Sequence, residues 1–172
     1  DILNYVTKQT DLDDLYECVI KGEKSEKYNQ LQELLNGMVD DFQLFYLYSV
    51  FVRDKLMVNI CSATSAEERA KGEVDMALLE TSDAYPEEEL HKFSEAIAKD
   101  EISYFEENSE WGYAYTACKP LVSSTGVHYG LLCADLSINE LHKTVHDYVL
   151  YNVILSLCLG LLFALILIIW LR

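Results

Sequence analysis

The sequence predicts an α+β protein: an antiparallel five-stranded sheet with long N-terminal helices, plus one C-terminal transmembrane helix. Three patterns carry this expectation. Apolar residues recur at helical spacing over the first 42 positions. Aromatic and β-branched runs separated by short turns follow. A final 24-residue run, 148–171, contains no Asp, Glu, Lys, Arg or His.

The terminal run reads YVLYNVILSLCLGLLFALILIIWL. As a helix it would reach about 36 Å at ~1.5 Å per residue, enough for a hydrocarbon core of ~30 Å. Tyr148 and Tyr151 stand at one end and Trp170 at the other, where interfacial aromatics are expected. Asn152 and Ser156 lie near the entry end, where backbone or headgroups can satisfy them.

Charge is distributed unevenly around this run. Of 172 residues, all 29 acidic and 12 of the 13 basic ones precede it, and the whole chain carries a formal charge of −16. Only Arg172 follows it, so Arg172 is expected inside and residues 1–147 outside, extracellular or periplasmic, in a protein of the cell membrane. The missing Met at Asp1 suggests a segment of a longer protein with an earlier span or signal. The acidic balance argues against nucleic acid as a partner, because phosphate binding needs clustered Lys and Arg.

The first segment, 2–19, places Leu12, Leu15 and Val19 on one helical stripe. The second, 27–42, does so with Tyr28, Leu31, Leu35, Met38 and Phe42. Residues 21–25 form a turn, and Ser25 can cap the second helix. Residues 43–52 and 56–61 read as a hairpin around Arg53, Asp54 and Lys55. The first of these strands is apolar at both parities, so both its faces must be covered. Residues 62–83 are small, polar and acidic, an insertion of the kind that forms a lid over a site. Pro86 opens a helix, with Glu87, Glu88 and Glu89 in its first turn, where the helix dipole favours them, and Leu90, Phe93 and Ile97 on its buried stripe. Strands at 102–106, 111–122 and 128–136 form a meander. Ser137 and Glu140 then make a capping box that opens a helix running without Gly or Pro toward the membrane. The expected organisation is a domain over 1–137, a juxtamembrane helix over 138–148 and a transmembrane helix over 149–171.

Two segments carry a family resemblance: Ala117-Cys-Lys-Pro-Leu-Val-Ser-Ser-Thr-Gly126, and Gly130-Leu-Leu-Cys-Ala-Asp-Leu-Ser137. With this order of elements, the chain resembles the Cache family of extracellular PAS-like sensor domains of bacterial transmembrane receptors, in its single form. The resemblance implies a PAS-like sheet in a receptor of histidine kinase, diguanylate cyclase or chemoreceptor type. Such domains hold a small ligand between sheet and lid and pass its effect through the C-terminal helix. Implied partners are a small molecule such as an amine or a small organic acid, membrane lipid and a second copy in a homodimer.

The resemblance also points to Asp135 as a ligand contact. Pairing the last strands about the 122–128 turn puts Tyr115 opposite Asp135 and Ala117 opposite Cys133, with Tyr113 two positions along. Tyr46 and Tyr48 fall on the same face under this reading, and Trp111 keeps the outer spacing of the family's amino-acid motif from Tyr104. Ser109 and Gly112 replace that motif's Arg and second Tyr, so a bidentate carboxylate clamp is missing. Arg53, Arg69 and Lys119 are the substitutes on offer. A buried Asp135 needs a cationic ligand among tyrosines or backbone donors at the next helix; both roles stand open.

No catalytic set, cofactor motif or metal site is expected, so the chain as given is not read as an enzyme. His142 and His146 stand at i, i+4 without a third ligand. The acidic run 106–110 reads as a solvated turn. Cys158 lies in the apolar run, and Cys18, Cys61, Cys118 and Cys133 allow three pairings, with reduced core thiols favoured by their apolar neighbours. The alternative function is a membrane-anchored dimerisation or protein-interaction ectodomain whose core is filled by its own side chains.

Overall fold

The structure is a computed structural model. It describes residues 2–42, 44, 46–73, 76–110 and 112–171, except the side chains of 139–142, 144, 164 and 165. Trp111, a candidate ligand contact through the motif spacing noted above, and the side chain of Glu140, expected to complete a cap, lie outside the described residues. The chain divides into two units, Asp1–Ser137 and Ile138–Arg172.

The first unit opens with three helices, α1 (Ile2–Gln9), α2 (Leu12–Lys21) and α3 (Glu26–Phe42). The helix expected over 2–19 is therefore two. Asp11 interrupts it by capping: its carboxylate accepts the Asp14 N–H at 3.1 Å, which satisfies an otherwise orphaned donor of α2. Ser25 caps α3 as expected, accepting the Tyr28 N–H at 3.0 Å.

The strands are β1 (Tyr46–Arg53), β2 (Leu56–Ser62), β3 (Thr81–Ser82), β4 (Ser103–Ser109), β5 (Gly112–Val122) and β6 (His128–Ser137). They form one six-stranded sheet in the order β3-β2-β1-β6-β5-β4, antiparallel at every pair. The sixth strand is the two-residue β3. It lies in the insertion expected to be irregular, which also holds the short helix α4 (Ala66–Ala70). Asp54 and Lys55 both take positive φ, 52° and 63°, as a two-residue hairpin turn requires.

Both faces of β1 are covered, as its double apolar parity demanded. On one face Leu47 and Ile60 pack with Leu132 and Leu121 under α1, α2 and α3. On the other, Tyr48, Val50, Met57, Leu131 and Cys133 pack under Leu90, Phe93 and Ala96 of α5 (Glu87–Ile97). Phe93 is wholly buried and meets the rings of Tyr85 and Phe105 edge-on, at 5.6 and 5.1 Å.

The second unit is one continuous helix, α6 (Ile138–Trp170). Its stretch Val145–Trp170, 26 residues, is long and apolar enough to cross a membrane. Asn152 donates to the Tyr148 carbonyl at 2.8 Å, so its amide is satisfied within the helix.

Candidate functional site

The site is built on the sheet face that carries α5. Antiparallel pairing sets two rows of side chains across it. Tyr46, Asp135, Thr116 and Phe105 form one row; Tyr48, Cys133, Cys118 and Ser103 form the next. Asp135, Cys133, Tyr46 and Tyr48 thus share a face.

Tyr113 and Tyr115 do not join them, which corrects the expected register. The offset is one residue: Thr116 stands opposite Asp135, Ala117 opposite Ala134, and Tyr115 opposite Leu136. A bulge between Leu121 and Val122 produces it, since Leu121 pairs with Gly130 while Val122 pairs with His128, leaving Tyr129 as the extra residue. A shift of one reverses every side chain. Tyr113 and Tyr115 accordingly project from the opposite face, each 41% exposed, and Tyr113 donates to Glu106 there.

Above the β1–β2 part of the face lies a cavity of about 200 Å³, roofed by the 62–85 segment. Tyr46, Tyr48 and Asn59 line it from the sheet; Thr64, Glu68 and Tyr85 are among those that line it from the segment. The roof is tied down at two places. Asn59 donates from its amide to the Met76 and Ala77 carbonyls at 3.2 and 3.0 Å. The polar ladder of α3 holds the other end: Gln32 donates to the Ser62 carbonyl, Asn36 accepts the Thr64 N–H at 2.8 Å, and Asp40 accepts the Ala66 N–H at 2.7 Å. These residues recur at i, i+4 and i+8, a polar stripe that sequence reading passed over. In α4 itself, Ser65 and Glu68 form a capping box.

The electrostatics of the site are acidic. Asp135 is 1% exposed, and burial pushes its carboxyl up to about 7, opposed by the Tyr48 hydroxyl and the neighbouring Thr116 side chain. The Tyr48 hydroxyl donates to Asp135 Oδ1 at 3.3 Å. Glu107, 2% exposed, shares the face; burial and then the nearby Asp135 and Glu89 charges push it up to about 8. Sequence reading placed Glu107 in a solvated turn. Strand β4 instead continues through Ser109, and the alternation Phe105, Glu107 was the signal that could have found it. Burial raises the Tyr46 hydroxyl, followed by the charges of Glu68, Asp135, Glu73 and Glu107.

No Lys, Arg or His lines the cavity among the described residues. The cations offered as a carboxylate clamp are engaged elsewhere. Arg69 pairs with Asp40 at 2.7 Å and donates to the Thr64 carbonyl. Arg53 lies over the Phe51 ring, and Lys119 donates to Asn4 and Thr7 of α1. Among the described residues no group of three or more His, Cys, Asp or Glu is arranged to hold a metal.

The sequence matches no protein-family profile and no curated protein. Among solved structures, the ligand-binding domain of the Campylobacter jejuni chemoreceptor Tlp3 in complex with L-valine is similar, with a TM-score of 0.46 and 12% identity over 83% of this chain. The match covers 60% of that structure's length.

Proposed function

We propose that residues 1–137 are the small-molecule sensing domain, of single Cache type, of a membrane receptor. In this reading they lie outside the cell, 138–148 form a juxtamembrane signalling helix and 149–171 the span. The receptor works as a homodimer, and the chain up to Arg172 binds its ligand without transforming it. The carrying observation is the cavity between the β1–β2 face and the 62–85 roof, in a chain whose last strand passes at Ser137–Ile138 into a helix of 33 residues. Closing the roof on a ligand shifts the sheet, and β6 hands that shift to α6.

The lining favours an amine over an organic acid. Three tyrosines line the space together with Glu68 and Glu73, and tyrosine faces attract cations. At about 200 Å³ the cavity suits a compact molecule, below the ~300–1,000 Å³ of drug-sized pockets. An open cavity is also what an interaction module with a filled core would lack.

Thermal unfolding of the full chain in detergent, against a set of small amines, quaternary ammonium ions and carboxylates, tests the reading. A cation should raise the melting temperature, by about 2.7 kcal/mol of stabilisation at a hundredfold excess over Kd. Glu68→Gln should weaken that shift. A response to carboxylates alone would reverse the charge assignment, and no response across the set would remove the sensing assignment.

A further inference from the structure

Cys118 and Cys133 are directly opposed across β5 and β6, and both are wholly buried. Opposed residues of an antiparallel pair have Cα atoms about 4.5–5.5 Å apart, inside the ~4.4–6.8 Å that a disulfide spans. The two Sγ atoms stand 2.8 Å apart. Even carbon atoms, smaller than sulfur, rest about 3.5–4.0 Å from one another when unbonded. Both are free thiols in this structure, and their opposed strand positions set the two sulfurs within reach of one another.

The other thiols of the unit do not compete. Cys18 points its sulfur at Asp14 Oδ2, 3.9 Å away, and Cys61 at Gln32 Oε1, 3.2 Å away. Both belong to the core under α1, α2 and α3, whereas Cys118 and Cys133 belong to the layer under α5. Of the six pairs that these four cysteines could form, Cys118 and Cys133 are the one whose sulfurs the fold brings into contact.

We propose that Cys118 and Cys133 form a cross-strand disulfide that fixes the β5–β6 register beside the Asp135–Thr116 row. The inference rests on residues 1–137 maturing in an oxidising compartment, as the sensor reading requires. The oxidant is a small-molecule or protein disulfide, RSSR. One cysteine thiolate attacks it, breaking the RS–SR bond and forming a mixed disulfide, with RSH released. The second cysteine thiolate then attacks the protein sulfur of that mixed disulfide and displaces the second RSH. The pair loses two electrons and two protons, which the two RSH molecules carry away. Burial raises both thiols above their usual range, Cys133 the further, so the folded sheet supplies little thiolate for exchange. The bond therefore closes before α5 covers the strands and is shielded from reductant afterwards. It is a permanent staple beside Tyr48, whose Cα partner is Cys133.

The test is made on the full chain. Protein taken from cells is denatured with N-ethylmaleimide and no reductant, then digested and weighed. The expected result is a peptide pair joined through Cys118 and Cys133, with maleimide on Cys18 and Cys61. A second sample is reduced, unfolded and refolded with glutathione and its disulfide. A bond that closes on refolding but is open in cells sustains the pairing and overturns the oxidising location. Maleimide on both cysteines in both samples overturns the pairing. In thermal melts, Cys118→Ala, Cys133→Ala and the double variant should lose the same number of degrees; losses that add would count against a bond.

Discussion

Tyr48 and Asp135 lie on neighbouring central strands, and the tyrosine hydroxyl reaches the carboxyl Oδ1 at 3.3 Å. Tyr48 lines the cavity, while Asp135 sits behind it in the sheet. The hydroxyl thus joins the cavity wall to β6.

Tyr48→Phe keeps the ring and removes the donor, leaving Asp135 Oδ1 without this bond. The expected cost is about 1–2 kcal/mol in unfolding free energy. Because the hydroxyl favours the charged carboxylate, the loss should be larger at pH 8 than at pH 5. Melts of the variant and parent at the two pH values check this; an equal loss at both would mean that Asp135 stays neutral throughout.

The buried acids set a pH dependence of definite sign. Folded Asp135 is raised from 3.8 to about 7 and folded Glu107 from 4.5 to about 8. In both cases the folded state keeps a proton that the unfolded chain has released, so stability falls as pH climbs from about 4 to about 8. Each shift spans about 3 pH units, on the order of 4–5 kcal/mol at ~1.4 kcal/mol per unit, and the two overlap because the Asp135 charge is part of what raises Glu107. Exposed Asp13 and Asp40 are held low, by hydrogen bonds from the backbone of Ser124 and of Ala66, and act in the opposite sense at acid pH. Asp135→Asn and Glu107→Gln should each flatten the fall and raise the melting temperature at pH 8. A parent protein that melts alike at pH 5 and pH 8 would contradict the raised values.

How much of this was legible depends on the range of the signal. The α3 stripe is local: Tyr28, Leu31, Leu35 and Met38 are buried, whereas Phe42, expected as its last member, lies 56% exposed at the helix end. The double parity of β1 correctly demanded two covering layers, and the polar composition of 62–83 marked the roof of the cavity. Tyr113 and Tyr115 were misplaced because register is counted from a turn, and one unpaired residue, Tyr129, reversed the faces. Nothing local marks that bulge: Tyr129 is drawn inward, with its hydroxyl donating to the Leu12 carbonyl at 2.9 Å, 117 residues away in sequence. Glu107 was missed for a related reason, since one buried carboxylate in an acidic run is distinguished only by its strand partners.

Phe93 should be among the most sensitive positions of the first unit. Its ring is wholly buried and joins Tyr85 of the cavity wall to Phe105 of β4. Phe93→Ala removes both edge contacts and leaves a void, at an expected cost of about 3–5 kcal/mol. Denaturant unfolding measures this, and Phe93→Leu should cost less than half as much. If the two variants were equal, the aromatic contacts would add nothing to volume.

Gly130 and Gly126 separate two reasons for glycine. At Gly126, φ is +81° and a Cβ would meet nothing within 4 Å, so Gly126→Ala carries only the backbone penalty, about 1 kcal/mol. At Gly130 a Cβ would stand 2.6 Å from Ile60 Cδ1 and 2.9 Å from the Val50 carbonyl oxygen. Gly130→Ala must therefore push β6 away from β1, which strains the row joining Tyr48 to Cys133 and costs about 1–3 kcal/mol. Ile60→Val deletes the Cδ1 atom but leaves the carbonyl in place. The double variant should recover part of the loss, and full recovery or none would show that one of the two contacts carries the whole effect.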